Sequence, residues 1–151
     1  MPTRKAAIPA PSEHNEQSVF VDRVLYEYRS QSDFSRPLFF ATLNGVWIAG
    51  RDYRRKMALI MKYKREGWVN GVADLLYLQP RGRYAYLAIE MKTGARAKEK
   101  HGGASEDQLE WLQAAKAAGA MAAVCHGADA AFDTFRLYMA LDARMPVPSD
   151  E

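Results

Sequence analysis

Cysteine is nearly absent from this sequence: 151 residues contain one, Cys125. A lone thiol cannot close an internal disulfide and cannot supply a zinc site of cysteines, so the chain suits a reducing cytoplasm. Long apolar runs are missing too. None reaches membrane-spanning length, and the N-terminus has no apolar core of the signal-peptide kind. There is no internal repeat and no low-complexity run. Neither sign of charge dominates: 21 Lys and Arg against 18 Asp and Glu leave a formal +3. That mild basicity permits an anionic partner without requiring one. What remains is 48% hydrophobic and 26% charged, which reads as one globular domain with a real core.

The stretch GVADLLYLQPRGRYAYLAIEMK, from Gly71 to Lys92, carries the most information. Two apolar runs, Val72 to Leu78 and Tyr84 to Met91, flank a Pro/Gly segment and predict a β-hairpin. Asp74, Glu90 and Lys92 are out of place in a hydrophobic sheet. Strand side chains alternate faces, so Glu90 and Lys92 share one face while Leu87, Ile89 and Met91 take the other. A hairpin centred on Arg81 or Gly82 pairs even with even residues, which sets Asp74 opposite Ala88 or Glu90. A register slipped by one would send Asp74 to the wrong face. Two carboxylates and an ammonium then meet at one end of a sheet. Close carboxylates repel unless a positive charge joins them, and a hard divalent cation such as Mg²⁺ fits oxygen ligands. Such a cation activates water for attack, and Lys92 can orient that water or stabilise anionic charge. Taken alone, these residues read more often as a turn or edge aspartate and a solvated Glu-x-Lys, and the rest of the chain has to carry the functional reading.

Elsewhere the chain alternates helix and strand signals. Residues 1–11 hold three prolines and read as a flexible lead-in. Ser12 is an N-cap for a helix from Glu13 to about Ser30, with Val21, Val24, Leu25 and Tyr28 as its buried stripe. Glu13 and Gln17, four apart, stack on one helix face. Glu13 also reads simply as a first-turn acid at the positive end of the helix dipole. Leu38 to Leu43 predicts a strand, Asn44-Gly45 a turn, and Val46 to Ala49 a second apolar run. Asp52 starts a helix to Glu66 with Gly67 as its stop. Arg54, Arg55, Lys62, Lys64 and Arg65 make this the most basic segment, readable as a solvated face or as a phosphate-tracking surface. Thr93 to Gly103 reads as a mobile loop whose Arg96, Lys98, Lys100 and His101 can meet phosphates. Ser105-Glu106-Asp107-Gln108 matches a capping box on a helix to Ala118, stopped by Gly119, with Leu109, Leu112 and Ala115 or Lys116 as its stripe. Ala120 to Cys125 predicts a strand, parallel to its predecessor because a helix makes the crossover. Asp129 begins the last helix, and 145–151 is a loose tail. The fold class is α/β, a mixed sheet flanked by helices.

Together these pieces resemble the VRR-NUC family of the PD-(D/E)XK nuclease superfamily, over about Ser12 to Tyr138. Glu13-His14-Asn15-Glu16-Gln17 resembles its opening helix motif, and Asn44-Gly45 its turn. Gly67 through Gly71 to Asp74 resembles its Gly-x-x-x-Gly-x-Pro-Asp segment, with Ala73 where the family has proline. Glu90-Met91-Lys92 matches its Glu-x-Lys, and Gln108 with Trp111-Leu112 the helix beyond. The resemblance implies a restriction-endonuclease-like core over residues 12–144. It implies catalytic Asp74, Glu90, Lys92 and Gln108, with Asp74 and Glu90 as metal ligands, Glu13 bound through water and Gln17 in support. For Gln108 the capping box competes, on the expectation that one glutamine serves only one of these jobs well. Mg²⁺ or Mn²⁺ would be the cofactor, with no small-molecule cofactor and no membrane. The implied activity is cutting of branched DNA such as four-way junctions, by a homodimer in a bacterial or phage-infected cytoplasm. A nucleic-acid-binding module without turnover is the alternative.

Overall fold

The computed structural model describes residues 10–42 and 52–143. The expected Asn44-Gly45 turn, the run Val46 to Ala49 and the loose tail lie outside these residues, as does most of the lead-in. Eight principal elements follow in order: α1 (Glu13–Tyr28), β1 (Phe39–Ala41), α2 (Tyr53–Arg65), β2 (Leu75–Tyr77), β3 (Tyr86–Lys92), α3 (Glu106–Ala117), β4 (Ala120–His126) and α4 (Ala128–Met139). The strands form one sheet in the order β1-β2-β3-β4. β1–β2 and β2–β3 are antiparallel, and β3–β4 is parallel across the α3 crossover. The α/β mixed sheet expected from the sequence is therefore the fold.

Strand parity divides the core in two. Leu75, Tyr77, Leu87, Ile89 and Met91 pack with Phe20 and Val24 of α1 and Phe132 and Phe135 of α4. Ala88, Ala120 and Ala122 face Leu112 and Ala115 of α3, joined by Ala73, which lies before β2 and outside its alternation. The first layer is aromatic, with Phe39, Tyr77 and Phe135 rings 5.3–6.2 Å apart. The second is built from small side chains, which let α3 lie close over the sheet. On α1 the buried positions are Phe20, Val24 and Tyr28, while Val21 and Leu25 lie at the margin. On α3 the stripe runs through Ala115, and Lys116 is exposed.

The hairpin ladder pairs Leu75 with Ile89, Leu76 with Ala88 and Tyr77 with Leu87, so it is centred on Gly82. Its tip is out of step with that ladder. Arg81 pairs with Tyr84 around a two-residue turn, leaving residues 78–80 on one side against 85 and 86 on the other. The extra residue is a bulge next to Pro80, which has no amide to donate to a ladder. Continuing the tip pairing would have put odd against even and moved Asp74 off the Glu90 face.

Arg81, expected only as a turn residue, is a buried staple at 1% exposure. Its guanidinium donates to the carbonyls of Met139 and Leu141 at 2.8 and 3.1 Å, and to the Asp33 carbonyl and carboxylate at 2.7 and 2.9 Å. It thus joins the hairpin tip to the end of α4 and to the α1–β1 connection.

Two expectations need correction. The last helix begins at Ala128, with Gly127 as its N-cap at φ 92°. Glu16 of α1 accepts the Ala128 amide at 2.7 Å, doing the work expected of Asp129, which pairs instead with Arg23. Residues 93–103 are not a plain loop. They form two 3₁₀ turns, Gly94–Lys98 and Lys100–Gly103, held to α1 by Arg96.

Candidate active site

The site forms where β3 ends. Glu90 and Lys92 lie on the α3 side of the sheet, 0% and 4% exposed. Lys92 Nζ donates to Glu90 Oε1 at 2.6 Å. Gln108 Nε2, from the first turn of α3, donates to the same oxygen. Both donors therefore converge on Oε1, and Oε2 is buried with no hydrogen-bond partner among the described residues. A buried carboxylate oxygen without a donor is costly, and an electropositive ligand at that point would relieve the cost.

Asp74 lies just before β2, where the ladder continued by one pair meets Glu90. Its Oδ2 accepts the Met91 amide at 2.7 Å, so a carboxylate closes the ladder in place of a backbone carbonyl. The peptide itself is fixed from the other side: the Thr42 amide donates to the Asp74 carbonyl, and the Thr42 hydroxyl to that of Ala73.

Electrostatics report the crowding of charge. Burial lifts the Glu90 carboxyl to about 7, the Asp74 carboxylate adds to the rise, and Lys92 only partly opposes it. Burial also raises Asp74; the Met91 amide and Lys92 act against that, and Glu13 with it. In the folded, metal-free protein Glu90 thus keeps its proton to about pH 7, whereas the unfolded chain releases it near 4.5. Between those values the folded state binds more protons, so stability is fullest below the lower value and falls as pH rises toward the upper. The expected loss is on the order of 3 kcal/mol. Melting curves in EDTA from pH 4.5 to 8 should show it, and Glu90→Gln should flatten them. An unchanged slope in that variant would place the titration elsewhere.

Glu13 approaches from α1. Glu13 is close enough to raise both carboxyl groups, yet its Oε1 accepts Arg96 NH1 at 3.2 Å. Gln17 is partly buried one turn on. Among the described residues, no three His, Cys, Asp or Glu side chains close into a metal cage. The donors present are therefore two hard carboxylates with a third in reserve. That set fits Mg²⁺, which keeps several waters and takes one or two carboxylates, and it does not fit a dehydrating all-protein cage.

Gln108 corrects the expectation that it could serve only one purpose. Its Oε1 accepts the Ser105 amide at 2.9 Å and completes the capping box, while its Nε2 holds Glu90. The two ends of one amide do two jobs because acceptor and donor point apart. Gly71 explains how α3 comes so close. At φ +77°, a Cβ there would lie 2.4 Å from the Asp107 carbonyl and 2.7 Å from the Gln108 amide nitrogen. Gly71→Ala should cost about 2–4 kcal/mol and draw Gln108 off Glu90. Gly67→Ala, at φ +99° with nothing within 4 Å, is the control for backbone strain alone. Equal melting temperatures for the two variants would refute the close-approach account.

Arg54, Arg55, Lys62, Lys64 and Arg65 all lie exposed on α2, and Lys98 and Lys100 on the 3₁₀ turns after β3. Arg96 is different: it is engaged by Glu13 and by Glu99, the latter at 3.0 Å. Sequence reasoning did not anticipate these partners, nor the charge of His14 acting on Asp74.

The VRR-NUC domain model matches residues 48–129, more than half the chain and inclusive of Asp74, Glu90, Lys92 and Gln108. The chain belongs to the VRR-NUC family. A solved structure titled "VRR_NUC domain protein" aligns with a TM-score of 0.67 at 22% identity, covering 93% of this chain and 98% of that one. At that identity the likeness speaks for the VRR-NUC fold alone. No curated protein matches. Glu13 and Gln17 precede the matched span, and of the two Glu13 is the one whose charge acts on Asp74 and Glu90.

Proposed function

We propose that this VRR-NUC protein is a divalent-metal-dependent endonuclease that hydrolyses phosphodiester bonds in DNA, preferring branched substrates such as four-way junctions. The observation that carries the reading is the unpartnered, buried Glu90 Oε2 beside the Asp74 carboxylate and the Lys92 ammonium. Nuclease chemistry needs hard oxygen ligands and a cationic group in one desolvated place.

Asp74 and Glu90 would hold Mg²⁺ or Mn²⁺, with Glu13 reaching it through water; the ion supplies positive charge against the phosphate and activates water. Gln108 and Lys92 fix Glu90 through one oxygen, so its other oxygen keeps a single direction. Lys92 presents a buried ammonium that orients the attacking water and stabilises negative charge gathering on the phosphate oxygens. Gln17 supports Glu13 from the next turn.

The α2 cations, with Lys98 and Lys100, would hold the sugar-phosphate backbone without reading sequence. Arg54→Ala with Arg55→Ala is expected to weaken DNA binding and lower the slope of log K against log salt by about one to two. An unchanged slope would remove α2 from the DNA path. A four-way junction has two strands to cut, which suits a two-fold homodimer. A cytoplasmic location is part of the same proposal. Among the described residues no helix is long and apolar enough to cross a membrane.

The test is direct. Purified protein is given supercoiled, nicked, flap, fork and four-way-junction DNA, with Mg²⁺, Mn²⁺ or EDTA. Cutting that needs the metal and favours branched substrates supports the proposal. Binding with no cutting under any metal would make the protein a recognition module on a nuclease fold.

A further inference from the structure

Among the described residues, helix α2 is the one principal helix with no buried residue. Thirteen residues form only a marginal helix when nothing covers a face. It is also two-natured. Tyr53, Met57, Ile60 and Lys64 follow one another at helical spacing along a single face, flanked by Lys56 and Tyr63. Tyr53 is 73% exposed and Tyr63 41%. Trp68, just past the Glu66 cap, is exposed at 37%. No acidic residue occurs between the Asp52 and Glu66 caps.

That interleaving decides what the face fits. A second copy of the chain packed on this face would bury Lys56 and Lys64 in the seam with no carboxylate in either helix to pair them. A duplex backbone would meet the cations but would leave the tyrosines and methionines in water. Unstacked bases joined by phosphates satisfy both, because rings stack on aromatic faces while ammonium groups track the backbone. Branched DNA offers such bases where its arms separate.

We infer that α2 and Trp68 form a platform for unpaired bases at the branch, and that this contact makes the protein prefer branched over plain duplex DNA. The inference rests on DNA being the substrate and adds which part of it is recognised.

Binding is measured by fluorescence anisotropy in EDTA, so that no turnover is required. The probes are oligo-dT, a blunt duplex and a flap with a single-stranded arm. The variant is Tyr53→Ala with Tyr63→Ala, every cation retained. Its melting temperature should match the parent, because both tyrosines are exposed. The expected result is a loss of about tenfold or more for oligo-dT and the flap, with duplex affinity and salt slope unchanged. Oligo-dT should also quench tryptophan emission in the parent, and Trp68→Phe should abolish that quenching.

Equal loss on all three probes, or no loss on any, overturns the inference. So does a dimer that becomes monomeric in the variant by sedimentation, which would give the face to a second copy. The two readings fail separately. A parent that binds oligo-dT through these tyrosines yet never cuts DNA leaves the platform standing and removes the nuclease. A parent that cuts DNA while the variant keeps its oligo-dT affinity removes only the platform.

Discussion

Replacing Asp74 by Asn, or Lys92 by Met, is expected to lower metal-dependent DNA cutting by about 10³-fold while binding in EDTA stays unchanged. These substitutions separate charge from structure. Asp74 Oδ2 accepts the Met91 amide, so alanine would leave a ladder donor unpaired, whereas asparagine keeps an oxygen there. Lys92 is 4% exposed, and methionine fills the space of its stem without the ammonium. The two losses should differ in character. Lys92 lowers the proton affinity of Glu90 by hydrogen bond and by charge. Without it, Glu90 holds its proton to higher pH, and residual cutting should shift its optimum upward. Asp74 acts in the opposite sense, since its charge helps raise Glu90. Asp74→Asn should therefore bring the Glu90 titration down, readable in melting curves in EDTA across the same pH range as for Glu90→Gln. Full activity in both variants would place the chemistry at another site or in a contaminant.

Arg81→Ala is expected to lose more stability than either Gly71→Ala or Glu90→Gln, with no direct effect on the site. Four hydrogen bonds reach from its guanidinium to Met139, Leu141 and Asp33. Truncation strands three carbonyl acceptors and opens a cavity the size of the side chain. Removing one partner of a buried, charge-assisted set costs about 3–5 kcal/mol. For a chain of this length that is a fall in Tm on the order of 10 °C. Arg81→Lys should recover little, because a single ammonium cannot reach acceptors on two sides as the planar fork does. A Tm within about 2 °C of the parent would contradict the staple. Arg81 Nε is itself buried without a partner among the described residues, so part of the gain from the other nitrogens is already offset.

Parity was legible because it depends on a period of two and nothing else. Glu90 and Lys92 share a face in any straight strand, and Ser105 with Gln108 announces a helix start from local hydrogen bonding alone. The caps at Ser12, Asp52 and Ser105, and the stops at Gly67 and Gly119, are likewise local, and the helices they bound appear as expected. Glu16 capping α4, Arg96 on Glu13 and Arg81 on the end of α4 link residues far apart in the chain. Nothing local distinguishes those side chains from ordinary surface charges.

The chain order alone therefore determined the α/β class, the hairpin, the crossover and the common face of the acid and the base. Tertiary structure decided the rest. A bulge beside Pro80 set the ladder on Gly82, and a glycine without a Cβ let α3 approach until Gln108 touched Glu90. Burial then made a surface-looking Glu-x-Lys into a desolvated pair with one oxygen left over. Alternation and capping act within a few residues, so they can be read from neighbours in the sequence. Desolvation and close approach depend on what the rest of the chain brings near.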